Sequence, residues 1–218
     1  MKKEETFELV LCALFTAIII IMSYTPLGYI PLVVINATII HIPVILGALF
    51  LGPKKGAFLG FVFGLTSFLK NTLTPATASA FVFSPVLASS MVGPVGIPKS
   101  TFICFVPRIL VGVVPCLVYV LVKKVAKGKA GTGIALALAG FSGAFTNTIL
   151  VMGSIYLLYK NDYAVALDKP AEKILETITG IITFNGVIEA ALAALLIGVV
   201  GAALTVVKPI KSDVAENA

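Results

Sequence analysis

Charged side chains are scarce in this chain. Asp, Glu, Lys and Arg make up 12% of its 218 residues, against about 25% in an average soluble domain. A surface that faces water needs more than that, so a soluble globular fold is excluded. Hydrophobic residues make up 59% and the mean hydropathy is +1.08, which excludes disorder as well. Histidine occurs once, as His41, and cysteine three times, as Cys12, Cys104 and Cys116. The cysteines are odd in number, far apart and set in apolar runs, which argues against a disulfide framework or a zinc site. No HExxH motif is present, and Glu189 is the only acidic residue clearly inside an apolar run. A phosphate loop is also missing. Gly93-Pro94-Val95-Gly96-Ile97-Pro98-Lys99-Ser100 comes near, but Pro98 stands where the glycine before the lysine is required and removes a backbone N–H. ATP hydrolysis by this chain, an enzymatic role and a bound cofactor are therefore not expected.

What the chain does have is apolar length. A spanning helix needs about 20 apolar residues, so there is room for six or seven. Prolines and glycines divide the chain. Pro26, Gly28 and Pro31 break the first long run, and Gly52-Pro53-Lys54-Lys55-Gly56 makes a basic turn. The expected fold is all-α: one integral membrane domain over 1–218 with six helices at about 6–25, 36–51, 54–71, 101–124, 131–159 and 172–207. Met1-Lys2-Lys3-Glu4-Glu5 leads straight into the first apolar run without a cleavable-signal pattern, so helix one is expected to stay as an anchor. Residues 72–100 carry Pro75, Pro85, Pro94 and Pro98 and are expected to form a lid loop, because irregular backbone at membrane depth must be buried in protein or line a cavity. Pro107 and Pro115 are expected to kink the fourth helix.

The net charge of +6 reads as topology rather than nucleic-acid binding. With both termini inside, ten lysines are cytoplasmic: Lys2, Lys3, Lys54, Lys55, Lys123, Lys124, Lys127, Lys129, Lys208 and Lys211. Lys70, Lys99, Lys160, Lys169 and Lys173 fall on the other side, which satisfies the positive-inside rule.

Helix rise then sets depth. Arg108, Asn147, Asn185 and Glu189 all come out roughly 22 Å or more above the cytoplasmic helix ends. Lys70 and Asn71 close helix three, and Asn36, Thr38 and His41 open helix two, at the same level. Intramembrane charges pair or mark function. Arg108 and Glu189 either hold a ligand or pair with each other. Asn147 and Asn185 either face a ligand or bond between helices. His41 is either a ligand contact or a satisfied core residue, Lys70 either a pocket residue or one that snorkels to the interface, and Tyr29 and Tyr156 either pocket walls or interfacial belt residues. Small residues recur every four positions at Ala13 and Ala17 and at Gly56, Gly60 and Gly64, which suits close helix packing or docking of a partner.

Two resemblances follow. Gly140-Phe141-Ser142-Gly143 is similar to the GxSG motif of rhomboid intramembrane proteases, but their histidine follows the serine and His41 precedes it, so a Ser142 protease is a distant alternative. The whole chain resembles the substrate-binding S components of energy-coupling factor (ECF) vitamin transporters. The likeness rests on Ala13 and Ala17, Leu27-Gly28-Tyr29-Ile30-Pro31, His41-Ile42-Pro43-Val44-Ile45, Leu51-Gly52-Pro53-Lys54 and the GAFLGFVFGLTS run from Gly56 to Ser67. It continues in Pro107-Arg108-Ile109-Leu110-Val111-Gly112, Thr146-Asn147-Thr148 and Asn185-Gly186-Val187-Ile188-Glu189. That resemblance implies a prokaryotic multi-pass plasma-membrane protein with an outward pocket roofed by two loops. It implies assembly with a transmembrane coupling protein and two cytoplasmic ATPases, docking through Ala13 and Ala17, and delivery by toppling. The stretches Val34 to His41 and Leu65 to Pro75 are most similar to pantothenate-specific members. Arg108 would hold the carboxylate, Asn71, Asn147 and Asn185 the amide and hydroxyls, with Asn36, His41, Tyr29 and Glu189 nearby. Folate, pyridoxamine or another vitamin is the alternative substrate, and the lack of Trp disfavours large flat ones such as riboflavin.

Overall fold

The computed structural model of the chain describes residues 3–31, 36–207 and 210, and the side chains of all these except 3, 29–31, 36, 37 and 207. Nine α-helices and one two-stranded ribbon are described: α1 Lys3–Tyr24, β1 Tyr29–Pro31, β2 Asn36–Thr38, α2 His41–Leu51, α3 Pro53–Leu73, α4 Pro85–Val92, α5 Gly96–Val111, α6 Val114–Val125, α7 Gly128–Ala166, α8 Ile174–Ile181 and α9 Val187–Val207. Among the described residues, five stretches are long and apolar enough to cross a membrane: Glu4–Tyr24, Pro53–Leu73, Gly96–Val125, Gly128–Ala166 and Ala171–Val206.

The expected second helix is shorter than its apolar run. Residues 36–38 pair with 29–31 as an antiparallel ribbon, Tyr29 opposite Thr38 and Pro31 opposite Asn36, and the helix begins only at His41. Its 11 residues rise about 16 Å, roughly half a hydrocarbon core. All of them but Ile42 are buried. A helix that is apolar on every side belongs inside a bundle, and α1, α3, α6, α7 and α9 surround this one. Gly52, at φ +90°, turns the chain directly into α3, with Pro53 in the first turn where its missing N–H costs nothing.

The 72–100 segment, with room for a short helix between its prolines, contains one. A 3₁₀ turn at Ala78–Phe83 leads into α4, whose N-terminus is capped by Ser84 Oγ accepting from Leu87 N, and α5 starts at Gly96 rather than at 101. Ser100 Oγ donates to Phe81 O at 3.0 Å and lies 2.8 Å from Tyr159 Oη, which itself donates to Gly96 O at 2.8 Å. Phe81 stacks edge-on against Tyr159. These contacts tie the segment to α5 and α7.

The expected fourth span breaks at Gly112–Val113, with Pro115 in the first turn of α6. The fifth runs longer than expected and leaves helical geometry at Tyr159. The sixth is interrupted by a π turn at Ile182–Gly186, between α8 and α9.

Buried apolar residues form two main clusters. One gathers α1, α2, α3, Val111, Tyr119, Ala135, Leu136, Ala139 and Ile197. The other gathers Phe81, Val82, Ile103, Val151, Ile155, Tyr159, Ile174 and Ile178. Along α5, Arg108 falls between Ile103 and Val111. Along α7, Asn147 falls between Ala139 and Val151. In the last span, Asn185 and Glu189 fall between Ile178 and Ile197. A polar layer therefore separates two apolar cores.

The glycine stripe of α3 is an internal seam. A Cβ on Gly60 would overlap the carbonyl of Arg108, and Gly56 and Gly112 face each other so closely that a Cβ on either would meet the other's carbonyl oxygen. Here backbone meets backbone, and no flexible side chain can yield. Gly60→Ala is expected to destabilise the protein by about 1–3 kcal/mol through overpacking, read as a lower unfolding temperature in detergent. An unchanged temperature would contradict this seam.

Candidate functional site

The polar layer lines two cavities of about 200 and 220 Å³. Four residues border both: Thr38, Phe83, Arg108 and Asn147. Ser23, Thr66, Ser67, Lys70 and Asn71 line the first alone, whereas Thr148, Met152, Ile181, Asn185 and Glu189 line the second alone. A broader groove of about 970 Å³ beside α8 shares Ile181 and Asn185 with the second.

Arg108 is 6% exposed. Its Nη1 donates to Ile103 O at 2.7 Å. The guanidinium carbon lies 4.7 Å from the ring centre of Phe83 and 5.7 Å from that of Phe63. A desolvated cation between aromatic faces gains attraction where water cannot reach it. The seam at Gly60 brings α3, with Phe63, close to α5, while the 72–100 segment carries Phe83.

Lys70 turns inward. Its Nζ donates to Ser23 O at 3.0 Å, while Ser23 Oγ donates to Ile19 O and bonds Thr66 Oγ1. Asn71 Nδ2 donates to Ser67 O at 2.8 Å. On the other wall, Glu189 accepts from the backbone N–H of Thr38 at 2.7 Å, tying α9 to the ribbon strand β2. Asn147 Oδ1 and Asn185 Oδ1 are buried with no hydrogen-bond partner among the described residues. Buried acceptors of this kind cost free energy unless a donor fills them.

The residues singled out in the sequence are thus unevenly placed. Arg108 and Asn147 border both cavities, Asn71 the first alone, and Asn185 and Glu189 the second alone. His41 is 1% exposed and outside both linings, with neither ring nitrogen partnered among the described residues. Tyr29 and Asn36 sit on β1 and β2, and their side chains lie outside the described residues. Ala13 and Ala17 are exposed on α1. Ser142 Oγ donates to Ala139 O, so it forms no dyad with His41. Sequence reasoning missed Phe63 and Phe83, since one phenylalanine among fourteen carries no mark of its neighbour.

Removing the acceptor at Glu189 should free the ribbon. In Glu189→Ala the Thr38 amide is expected to exchange hydrogen at least about tenfold faster, because bonds to charged acceptors are worth about 1.5–3 kcal/mol. Glu189→Gln, which keeps an acceptor, should lie between. Unchanged exchange in the alanine variant would remove Glu189 from this role.

Comparison with known proteins agrees with this architecture. The chain matches the family described as "ECF transporter, substrate-specific component" over residues 7–201. It is 36% identical over 208 residues to the pantothenic acid transporter PanT of Lactococcus lactis subsp. cremoris, covering 94% of this chain and 97% of the relative. It is 29% identical over 210 residues to the pantothenate transporter PanT of Leuconostoc mesenteroides, covering 92% and 93%. Such relatives, with five long apolar helices, make it a multi-pass protein of the prokaryotic plasma membrane. With a match that spans residues 7–201, the chain belongs to the substrate-specific components of ECF transporters.

Proposed function

We propose that this chain is the subunit that captures pantothenate for an ECF-type importer. The observation that carries the reading is Arg108, a buried cation bordering two small cavities with Asn147 and Asn185, whose acceptor oxygens have no partner among the described residues. Pantothenate is a small anion with an amide and two hydroxyls. Arg108 receives its carboxylate through paired, charge-assisted bonds, and Asn71, Asn147 and Asn185 bond its polar groups. The ribbon bearing Tyr29 and Asn36 and the segment bearing Phe83 close over it. Both relatives named above are called pantothenate transporters, which supports the same substrate.

In this reading α2 makes the sixth crossing together with the ribbon, and both termini are cytoplasmic. The chain docks on a transmembrane coupling protein through the exposed small face at Ala13 and Ala17. Two cytoplasmic ATPases supply the energy, and toppling of the subunit in the membrane delivers the vitamin. No enzymatic step belongs to the chain.

Labelled pantothenate should bind the detergent-purified protein. Arg108→Ala is expected to bind it at least about tenfold more weakly, and equal binding would remove Arg108 from its role. A thermal-shift panel of vitamins separates pantothenate from folate and pyridoxamine, because a tight ligand raises the unfolding temperature of the state it binds. Docking is checked with Ala13→Trp and Ala17→Trp. Intact assembly with the coupling protein in both variants would reject the α1 interface.

A further inference from the structure

The two cavities differ in the sign of what they offer. The residues that line only the first include one charged side chain, Lys70, a donor without acceptor capacity. Those that line only the second include Glu189, an acceptor when ionised, and Asn185, whose buried Oδ1 has no donor among the described residues. Val151, Met152 and Ile181 add an apolar wall to the second cavity. Asn147 borders both, and its buried Oδ1 likewise lacks a donor among the described residues. Arg108 also borders both, so it draws an anion into the layer without deciding which way the anion points.

Resting on the pantothenate reading above, we propose a fixed orientation of the ligand. The carboxylate enters the first cavity between Lys70 and Arg108. The amide N–H meets Asn147 Oδ1 in the shared wall. The hydroxyl end enters the second cavity, its O–H groups donating to Asn185 Oδ1 and Glu189 and its paired methyl groups lying on Val151, Met152 and Ile181. The reverse pose would set the carboxylate beside Glu189, where like charges at low dielectric repel strongly, and would leave Asn185 Oδ1 without a donor. Lys70 is therefore a specificity residue for the acid end, and Asn185 for the hydroxyl end.

The test crosses protein variants with ligand variants on the purified full-length chain. Pantothenate is compared with panthenol, in which an alcohol replaces the carboxylate, and with the analogue lacking the terminal hydroxyl. Lys70→Gln is expected to weaken pantothenate about tenfold and to leave panthenol unchanged. Asn185→Leu should weaken pantothenate and panthenol by the same factor and lose much of its effect on the deoxy analogue. The orientation is overturned if Lys70→Gln weakens both acid and alcohol equally, or if Asn185→Leu discriminates between them. It is also overturned if Glu189→Gln tightens pantothenate relative to panthenol, since that would put the carboxylate beside Glu189. Should Lys70→Gln not fold, the Asn185 and Glu189 arms decide. Pantothenate binding by the wild-type protein keeps the substrate reading whatever the variants do, whereas its absence overturns that reading and the orientation with it.

Discussion

A guanidinium removed from water within a membrane bundle is the constraint on which this structure turns. An isolated buried charge is costly, so Arg108 can persist only where several elements converge on it. A carbonyl from its own helix accepts one N–H, and its guanidinium carbon lies over the rings of two phenylalanines from different parts of the chain. One of those rings sits on α3, brought near by glycine where the two backbones meet. The other sits on the ordered segment between α3 and α5, held down by Ser100 and Tyr159. The glycine seam, the tyrosine anchor and the polar layer are parts of one arrangement around this cation.

The ribbon and the 72–100 segment are joined to the bundle through different chemistry. In the ribbon, the backbone N–H of Thr38 donates to the carboxylate of Glu189 on α9. The 72–100 segment is tied by buried aromatic packing and a hydroxyl network. The π turn at Ile182–Gly186 carries Asn185 and presents its side chain to the second cavity.

Much of this was legible in the chain. Long apolar runs and their proline breaks marked the spans, because backbone groups in lipid must be satisfied within a helix. The few polar residues in those runs stood out against their surroundings, and simple helix rise set Arg108, Asn147, Asn185 and Glu189 at one depth. Other features were not legible. The apolar run over 36–51 looked like a full helix, yet its first residues pair as a strand, since local hydropathy does not register a partner at 29–31. The break after Val111 falls beside the expected kink at Pro115, whereas the interruptions at Tyr159 and 182–186 carry no proline to mark them.

By itself, then, the sequence determined a membrane bundle, its approximate spans and the small set of polar residues available for a site. These follow from local rules: length against bilayer thickness, proline against helix, charge against lipid. Tertiary structure alone decided that Phe63 and Phe83 flank Arg108, that Glu189 holds the ribbon, and that His41 sits apart in the core. Those outcomes depend on which residues distant in the chain come into contact. Contact of that kind is set by the packing of whole helices, which no local pattern in the chain encodes.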